Sequence, residues 1–276
     1  MPDIATPMRV VGEDQVLNLL RDTVVVIPAL NEQESIGHVL RDLKEVMPET
    51  SFIVVDGNSA DETIEVAKRL GAEVLLQDGK GKGDALRQVL ALDLKAGNIV
   101  IMDADRSMRA QEIPALVRAL ASGADVVKGS RFLPGGSSDD LTFMRRFGAR
   151  LFVHLVNLIW STDYSDLCYG FLAFKTKAIR RLHPHLKSSN FEIETEILIK
   201  AAKLGLTVAE LPSKELRRHN GQSHLSLLRD GFLIFKTIVK ECLVGHRSVS
   251  TPSPLHVVRM GRNGRVAEIV NNHAVD

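Results

Sequence analysis

Apolar and polar positions alternate in blocks along the first half of the chain. "TVVVIPAL" (23–30) is an unbroken β-branched run ended by Pro28, the pattern of a strand covered on both faces. "NEQESIGHVLRDLKEVM" follows, with Ile36, Val39, Leu40 and Leu43 at helical spacing. "SFIVVDG" reads as a second strand, closed by an acid. "SADETIEVAKRLGA" reads as a helix that stops at Gly71. A third strand, "AEVLLQD", leads into the Gly-rich "GKGKGDALRQVLALDLKAG" and a further helix. "NIVIMDAD" is a fourth strand, "QEIPALVRALASGA" a helix and "DVVKGSRF" a fifth strand. Strands separated by helices of this length predict an α/β fold of parallel βαβ units with right-handed crossovers. Ligands of such sheets bind outside the carboxyl ends of the strands. Pro28, Asp56, Asp103 and Arg131 all fall at those ends, so four separate segments meet on one rim.

The second half is patterned differently. "LPGGSSDDLTFMRR" is a polar loop, and a helix runs from about 145 to 160. "NFEIETEILIKAAKLG" predicts another helix, "LTVAELPSKEL" a strand and "RRHNGQSHLS" a basic loop. A helix over 225–245 carries Phe232, Leu233, Phe235, Ile238, Val239 and Cys242 at helical spacing, beside Lys236, Lys240 and Glu241. That stripe either packs on the domain or lies in a membrane surface. Neither this segment nor "LFVHLVNLIW" (151–160) is an uncharged run of spanning length, so no membrane-crossing helix is expected. Residues 1–21 read as an extension, 22–245 as the domain and 246–276 as a tail without pattern, expected to be disordered.

Charge narrows the partners. Lys and Arg total 35 against 34 for Asp and Glu, a net +1 that gives no basis for nucleic-acid binding. Two distant cysteines, Cys168 and Cys242, form no disulfide framework and no metal-ligand spacing, which fits a reducing cytoplasm. The N-terminus lacks the basic and apolar regions of a signal peptide.

Asp103 and Asp105 stand at i and i+2, where an extended chain points both to one face. Two carboxylates so close repel, and a divalent cation would relieve them; magnesium takes one or two carboxylates and fills its shell with water and phosphate oxygens. The competing readings are that Asp105 caps the next turn or pairs with Arg106 or Arg109. "DGKGKGDAL" sets Gly79, Gly81 and Gly83 between lysines ahead of a helix, which suits an anion. It is neither a GxxxxGK[ST] loop nor a GxGxxG turn after the first strand, which disfavours a nucleoside triphosphatase or a dinucleotide-dependent dehydrogenase. His38 and His154 read as core or surface histidines, Trp160 as packing, and Glu192, Glu194 and Glu196 as acids favoured at a helix start.

"VVVIPALNEQESI", "IVVDGNSADET", "GKGKGDAL", "IVIMDAD", "ADVVKGSRF", "SDLCYGFLAF", "FEIETEI" and "ELPSKELRRHNGQSHL" come in the order seen in family 2 glycosyltransferases. Across residues 22–241 the chain resembles the branch that makes polyprenyl-phosphate (dolichyl-phosphate) mannose or glucose. The resemblance implies a GT-A fold, with a nucleotide-binding half at 22–132 and an acceptor half at 133–245. It also implies inverting transfer of a hexose from a nucleotide-diphospho-sugar, GDP-mannose or a UDP-sugar, with Mg²⁺ or Mn²⁺. The acceptor it implies is a polyprenyl phosphate at the inner membrane face, with a soluble phosphorylated metabolite or natural-product intermediate as the alternative. Residues 225–245 would then supply peripheral membrane contact. A sugar-1-phosphate nucleotidyltransferase is disfavoured, because "PALNEQES" stands where those enzymes carry a Gly-rich loop.

Roles follow from the resemblance residue by residue. Pro28, Ala29, Asn31 and Glu32 match the segment lining the nucleotide pocket, Asp56 the acid on base or ribose, and Lys82 the lysine beside the nucleotide. Asp103 and Asp105 match the metal-binding DxD. Arg131 matches an arginine near the transferring phosphate or sugar, and Asp166 and Gly170 a segment facing donor sugar and acceptor. Glu194 matches an acid beside the acceptor; Arg218 and Ser223 match a loop closing over the donor diphosphate. Arg145 or Arg146, with Arg131, would hold an acceptor phosphate. A hydroxyl acceptor would need a base, for which Asp166 is the candidate. The sequence departs from the pattern where Gly57 replaces a second acid, Ser107 a frequent Gln and His224 a lysine of the closing loop, and where the serine expected after the acceptor-phosphate arginine is missing near Arg145, which favours the soluble acceptor.

Overall fold

The computed structural model describes residues 13–218 and 227–244, with the backbone of two strands at 256–260 and 266–271. In chain order the strands are β1 (Thr23–Ala29), β2 (Ser51–Asp56), β3 (Glu73–Leu76), β4 (Asn98–Ile101), β5 (Val126–Ser130), β6 (Ser137–Ser138), β7 (Leu172–Lys175), β8 (Val208–Pro212), β9 (Lys214–Glu215), β10 (His256–Met260) and β11 (Val266–Asn271). The α-helices are α1 (Glu13–Arg21), α2 (Ile36–Val46), α3 (Thr63–Arg69), α4 (Lys82–Leu90), α5 (Ile113–Ala121), α6 (Phe143–Trp160), α7 (Thr176–Leu182), α8 (Ile193–Lys203) and α9 (Leu227–Leu243).

Strands β3, β2, β1 and β4 lie side by side and parallel, as the βαβ pattern predicts. Strand β7, absent from that pattern, enters antiparallel between β4 and β5, and β8 pairs parallel with β5 on the far side. The central run of β1 explains its composition. Val25 and Ile27 face one apolar layer, with α1, α2, α3 and α5. Val26 faces the other, with α4, α6, α7, α8 and α9. A strand buried on both faces has no polar side to show. On α2, Ile36, Val39, Leu40 and Leu43 are all buried, as their spacing predicts.

Two readings are corrected here. The N-terminal extension contributes α1, whose Val16 and Leu20 enter the core. The tail expected to be disordered holds two strands: β10 runs parallel to β8, and β11 pairs back on β10. Their apolar-rich runs are too short to stand out in the sequence, and the free edge of β8 supplies the partner that a lone strand lacks.

A candidate glycosyl-transfer site at the carboxyl edge of the sheet

The loops after β1, β2 and β4 each hold a non-glycine residue at positive φ: Asn31 (56°), Asn58 (67°) and Arg106 (64°). Asparagine accepts this conformation readily; arginine does so at a cost that its surroundings must offset. The Arg106 guanidinium is tied to Asp42 at 3.2 Å. Strand β4 ends at Ile101, so Asp103 and Asp105 lie in the irregular turn beyond it rather than along one extended strand. The cleft beside them has two lobes, which share Lys82, Asp103, Phe191, Arg218 and Asp230.

The larger lobe encloses about 530 Å³. Pro28, Ala29, Glu32, Lys82, Asp103 and Asp105 line it, and so do Gly57, Asn58 and Gln77. Asp56 is placed otherwise. It is fully buried, and its two oxygens accept from the N–H (2.8 Å) and hydroxyl (2.6 Å) of Ser59. The Ser59 hydroxyl in turn accepts from the Asn31 N–H, and the Asn31 side chain accepts from the Ala60 N–H. Asp56 and Asn31 therefore brace two rim loops against each other, and neither is among the residues lining the lobe. A Cβ at Gly57 would meet Gln77 Oε1 at 3.2 Å, a tight contact that a larger side chain there could relieve only by moving the Gln77 amide. Gln77 was not singled out from the sequence, where it closes an ordinary strand. Its amide donates to the Gly81 carbonyl at 2.8 Å.

The Gly-rich loop is shaped by its own chain as much as by any anion. A Cβ on Gly81 would come within 2.5 Å of the Ser189 carbonyl, and one on Gly83 within 2.4 Å of the Ser188 carbonyl. This close approach carries Lys82 into the cleft. Its ammonium sits 2.5 Å from Asp103 Oδ1 and 2.7 Å from Glu194 Oε1, with Phe191 5.9 Å below. Burial works against the Lys82 charge, but the two carboxylates outweigh it and raise its pKa. Glu194 is pushed up by burial, with Lys82 partly restoring its charge. Gly170 backs directly onto this pair, where a Cβ would meet Lys82 Nζ at 2.4 Å and Glu194 Oε1 at 2.7 Å.

Asp105 is almost buried. Burial, and then the charge of Asp103, push its pKa up, while Ser107 and Arg218 offset part of the rise. The Ser107 N–H donates to Asp105 Oδ1 at 3.0 Å, and Arg218 Nε stands 3.4 Å from Oδ2. Two carboxylates two residues apart in one loop, facing a lobe of this size, suit a divalent cation that completes its shell with water and phosphate. Among the described residues no group of three or more metal-ligating side chains exists.

The smaller lobe lies between α6 and α9 and is lined by Arg131, Arg145 and Gly170, with Ala149, Phe152 and Ile234 along its apolar wall. Arg131 forms a fork on Asp166, and its Nη1 reaches Glu215 at 3.2 Å. Asp166 is fully buried, and Arg131 and Lys128 hold its pKa below the ordinary range against the effect of burial. An acid so enclosed has no free oxygen to take a proton from an acceptor, which corrects its reading as a base. Arg146 is not among the lining residues; it lies over the Phe132 ring, 5.8 Å from its centre. Ser223 and His224 fall outside the described residues. Asp140 and Asp230 join the site from the second half of the chain without a motif to mark them, and Glu215 joins it from within "ELPSKELRRHNGQSHL", where the resemblance gives it no role.

Comparison with known proteins gives this arrangement its relatives. The description "Glycosyl transferase family 2" matches residues 24–182. A glycosyltransferase of Haloferax volcanii, AglJ, is 31% identical over 84% of this chain and 73% of its own length. A dolichyl-phosphate hexose transferase of the same organism is 30% identical over 80% of this chain and 94% of its own. In fold the chain resembles glucosyl-3-phosphoglycerate synthase from Mycobacterium tuberculosis, solved with Mn²⁺, UDP and glucosyl-3-phosphoglycerate. That likeness has a TM-score of 0.69 at 21% identity, over 93% of this chain and 91% of the other. The fold is thus GT-A, its mainly parallel sheet carrying the cleft at the expected edge. A family description matched along more than half the chain, and relatives aligned over most of it, establish that this protein is a glycosyltransferase of family 2.

Proposed function

We propose that this enzyme transfers a hexose, with inversion, from a nucleotide-diphospho-sugar to a polyprenyl phosphate. The observation that carries the acceptor is the smaller lobe, which sets a polar end of mixed charge, with Arg131 and Arg145 among Asp140 and Glu215, against an apolar channel between α6 and α9. A phosphate head fits the arginines, and an isoprenoid chain fits Ala149, Phe152 and Ile234. The outer faces of the same helices support it. Phe143 and Phe147 on α6, and Phe232 (65% exposed) and Phe235 on α9, project outward. On α9 the inward face is instead Asp230, Ile234, Ile238 and Glu241, with Glu241 held by Lys200 and Lys203. Most of the apolar stripe seen in the sequence is therefore turned away from the domain, as a helix lying on a membrane requires. No described helix is long and apolar enough to cross a membrane.

The donor belongs in the larger lobe, with its diphosphate toward Asp103, Asp105 and Arg218 and its base toward Gly57, Asn58 and Gln77. A bound Mg²⁺ or Mn²⁺ would supply Lewis-acid stabilisation to the departing diphosphate. Arg218 adds a fixed positive charge where negative charge develops. An acceptor phosphate is already ionised at neutral pH, so it attacks the opposite face of the sugar without a protein base. The enclosure of Asp166 is in keeping with that chemistry.

The test is transfer of radiolabel from GDP-mannose and UDP-glucose, with Mn²⁺ or chelator, to a short polyprenyl phosphate or to phosphoglyceric acid. Chelator-sensitive product on the lipid phosphate alone is expected. Product on the small acid alone would replace the lipid with a soluble phosphorylated acceptor.

A further inference from the structure

Asp140 stands in the loop before α6. Its Oδ2 lies 3.5 Å from Arg218 Nε and 3.9 Å from Arg145 Nη1. On its other side the same Arg218 Nε is 3.4 Å from Asp105 Oδ2. This nitrogen is buried and hydrogen-bonded to neither carboxylate. A guanidinium shared almost evenly between two acids can shift to either with little change in its own burial. Lys82, the cation on Asp103, differs: Glu194 anchors it at 2.7 Å.

On the reading of Asp103 and Asp105 as a divalent-cation site, we infer that Asp140 is a positioning residue that receives Arg218 when a cation takes Asp105. A magnesium or manganese ion on Asp105 would stand about 2.1 Å from its oxygen, and a guanidinium beside that oxygen would be repelled strongly in so enclosed a place. Asp140 gives Arg218 a second carboxylate, and a nucleoside diphosphate gives it a third anion. Metal and nucleotide binding are therefore coupled through Arg218, and the coupling must be reciprocal.

The experiment is titration of Mn²⁺ followed by the electron paramagnetic resonance signal of the free ion, without nucleotide and with UDP or GDP. It uses the full chain, Arg218→Gln, Asp140→Asn and the double variant. Arg218→Gln is expected to bind Mn²⁺ alone about tenfold more tightly than the parent, and to gain less from nucleotide. Asp140→Asn is expected to bind Mn²⁺ alone about three- to tenfold more weakly, an effect that disappears in the Arg218→Gln background. An equal loss in both backgrounds would mean that Asp140 acts only through its own charge, and would overturn the inference. So would an Arg218→Gln variant that binds Mn²⁺ no more tightly. Failure of the metal reading itself looks different: no Mn²⁺ is bound by any variant even with nucleotide, or binding survives Asp105→Ala.

Discussion

Arg131 holds Asp166 with both edges of its guanidinium, Nε to Oδ2 at 2.7 Å and Nη2 to Oδ1 at 3.0 Å, while its own backbone N–H adds a third bond at 3.2 Å. Both side chains are buried. The pair fixes the arginine that faces the acceptor lobe, so Asp166 acts through Arg131. Asp166→Asn should cost about 3 kcal/mol of stability, because it removes the nearer of the two carboxylates on a buried guanidinium and leaves only Glu215. Turnover should fall while the shape of its pH profile stays unchanged. A loss that denaturant melts do not register, joined to a vanished pH limb, would restore Asp166 as a base.

Asp105 faces both the donor lobe and Arg218. Asp105→Ala should abolish the Mn²⁺-dependent rise in melting temperature with the correct nucleotide and reduce turnover by about 10²–10³, the scale of a lost charge-stabilising group. Thermal shift against GDP-, UDP- and dTDP-sugars, with metal and with chelator, reads the first effect and names the donor. A full rise in the variant would return Asp105 to a structural turn.

Gly170 matters for the space it leaves to two side-chain tips rather than for backbone freedom. Its added Cβ would lie 2.4 Å from Lys82 Nζ and 2.7 Å from Glu194 Oε1. Gly170→Ala should part that ion pair, cost about 1–3 kcal/mol of stability as overpacking does, and weaken nucleotide binding through a displaced Lys82. Calorimetric titration of UDP or GDP measures the second effect. Unaltered affinity would mean that Lys82 does not touch the nucleotide.

Glu210 is buried on β8, where it accepts from the N–H groups of Ser165 (3.0 Å) and Asp166 (3.3 Å). Burial pushes its carboxyl from 4.5 up to about 7, against these hydrogen bonds. An acid raised in this way takes up a proton on folding. Its contribution is complete below pH 4.5 and is lost as pH rises through about 7. Glu210→Gln keeps an oxygen for both N–H groups and removes the titration. Relative to the parent it should gain stability between pH 5 and pH 8, by at most about 3 kcal/mol. Urea melts at the two pH values decide the matter; a difference independent of pH would show that Glu210 does not titrate there.

The proposed membrane contact would be made by the outer faces of α6 and α9. Each phenylalanine buried in a lipid surface is worth about 1.5–3 kcal/mol. Phe232→Ser with Phe235→Ser should therefore remove the enzyme from anionic vesicles in flotation, while activity on a water-soluble short-chain acceptor persists. In the channel itself, a Cβ added at Gly148 meets nothing within 4 Å. Gly148→Phe should fold normally, bind nucleotide normally and lose polyprenyl-phosphate transfer. Equal flotation of both proteins, or full activity of Gly148→Phe, would argue for a soluble acceptor.

Much of the donor side was legible in the sequence because it depends on local pattern. The continuous apolar run of β1, the spacing of Ile36 to Leu43 and the glycines around Lys82 determine two-sided strands, an amphipathic helix and a close-approach loop through neighbours a few residues away. They also place Pro28, Asp103 and Arg131 on one edge. What the sequence could not decide is which of those polar groups face the cleft. Asp56 and Asp166 close their strand and motif as Asp103 and Asp105 do, yet Ser59 and Arg131 consume their oxygens, and that depends on loops far apart in the chain. The direction of the α9 stripe was likewise set by tertiary contacts: Lys200 and Lys203 draw Glu241 inward, and the aromatic side turns out with the opposite face. Periodicity defines the faces of a helix, but only the neighbouring charges and volumes determine which one is buried.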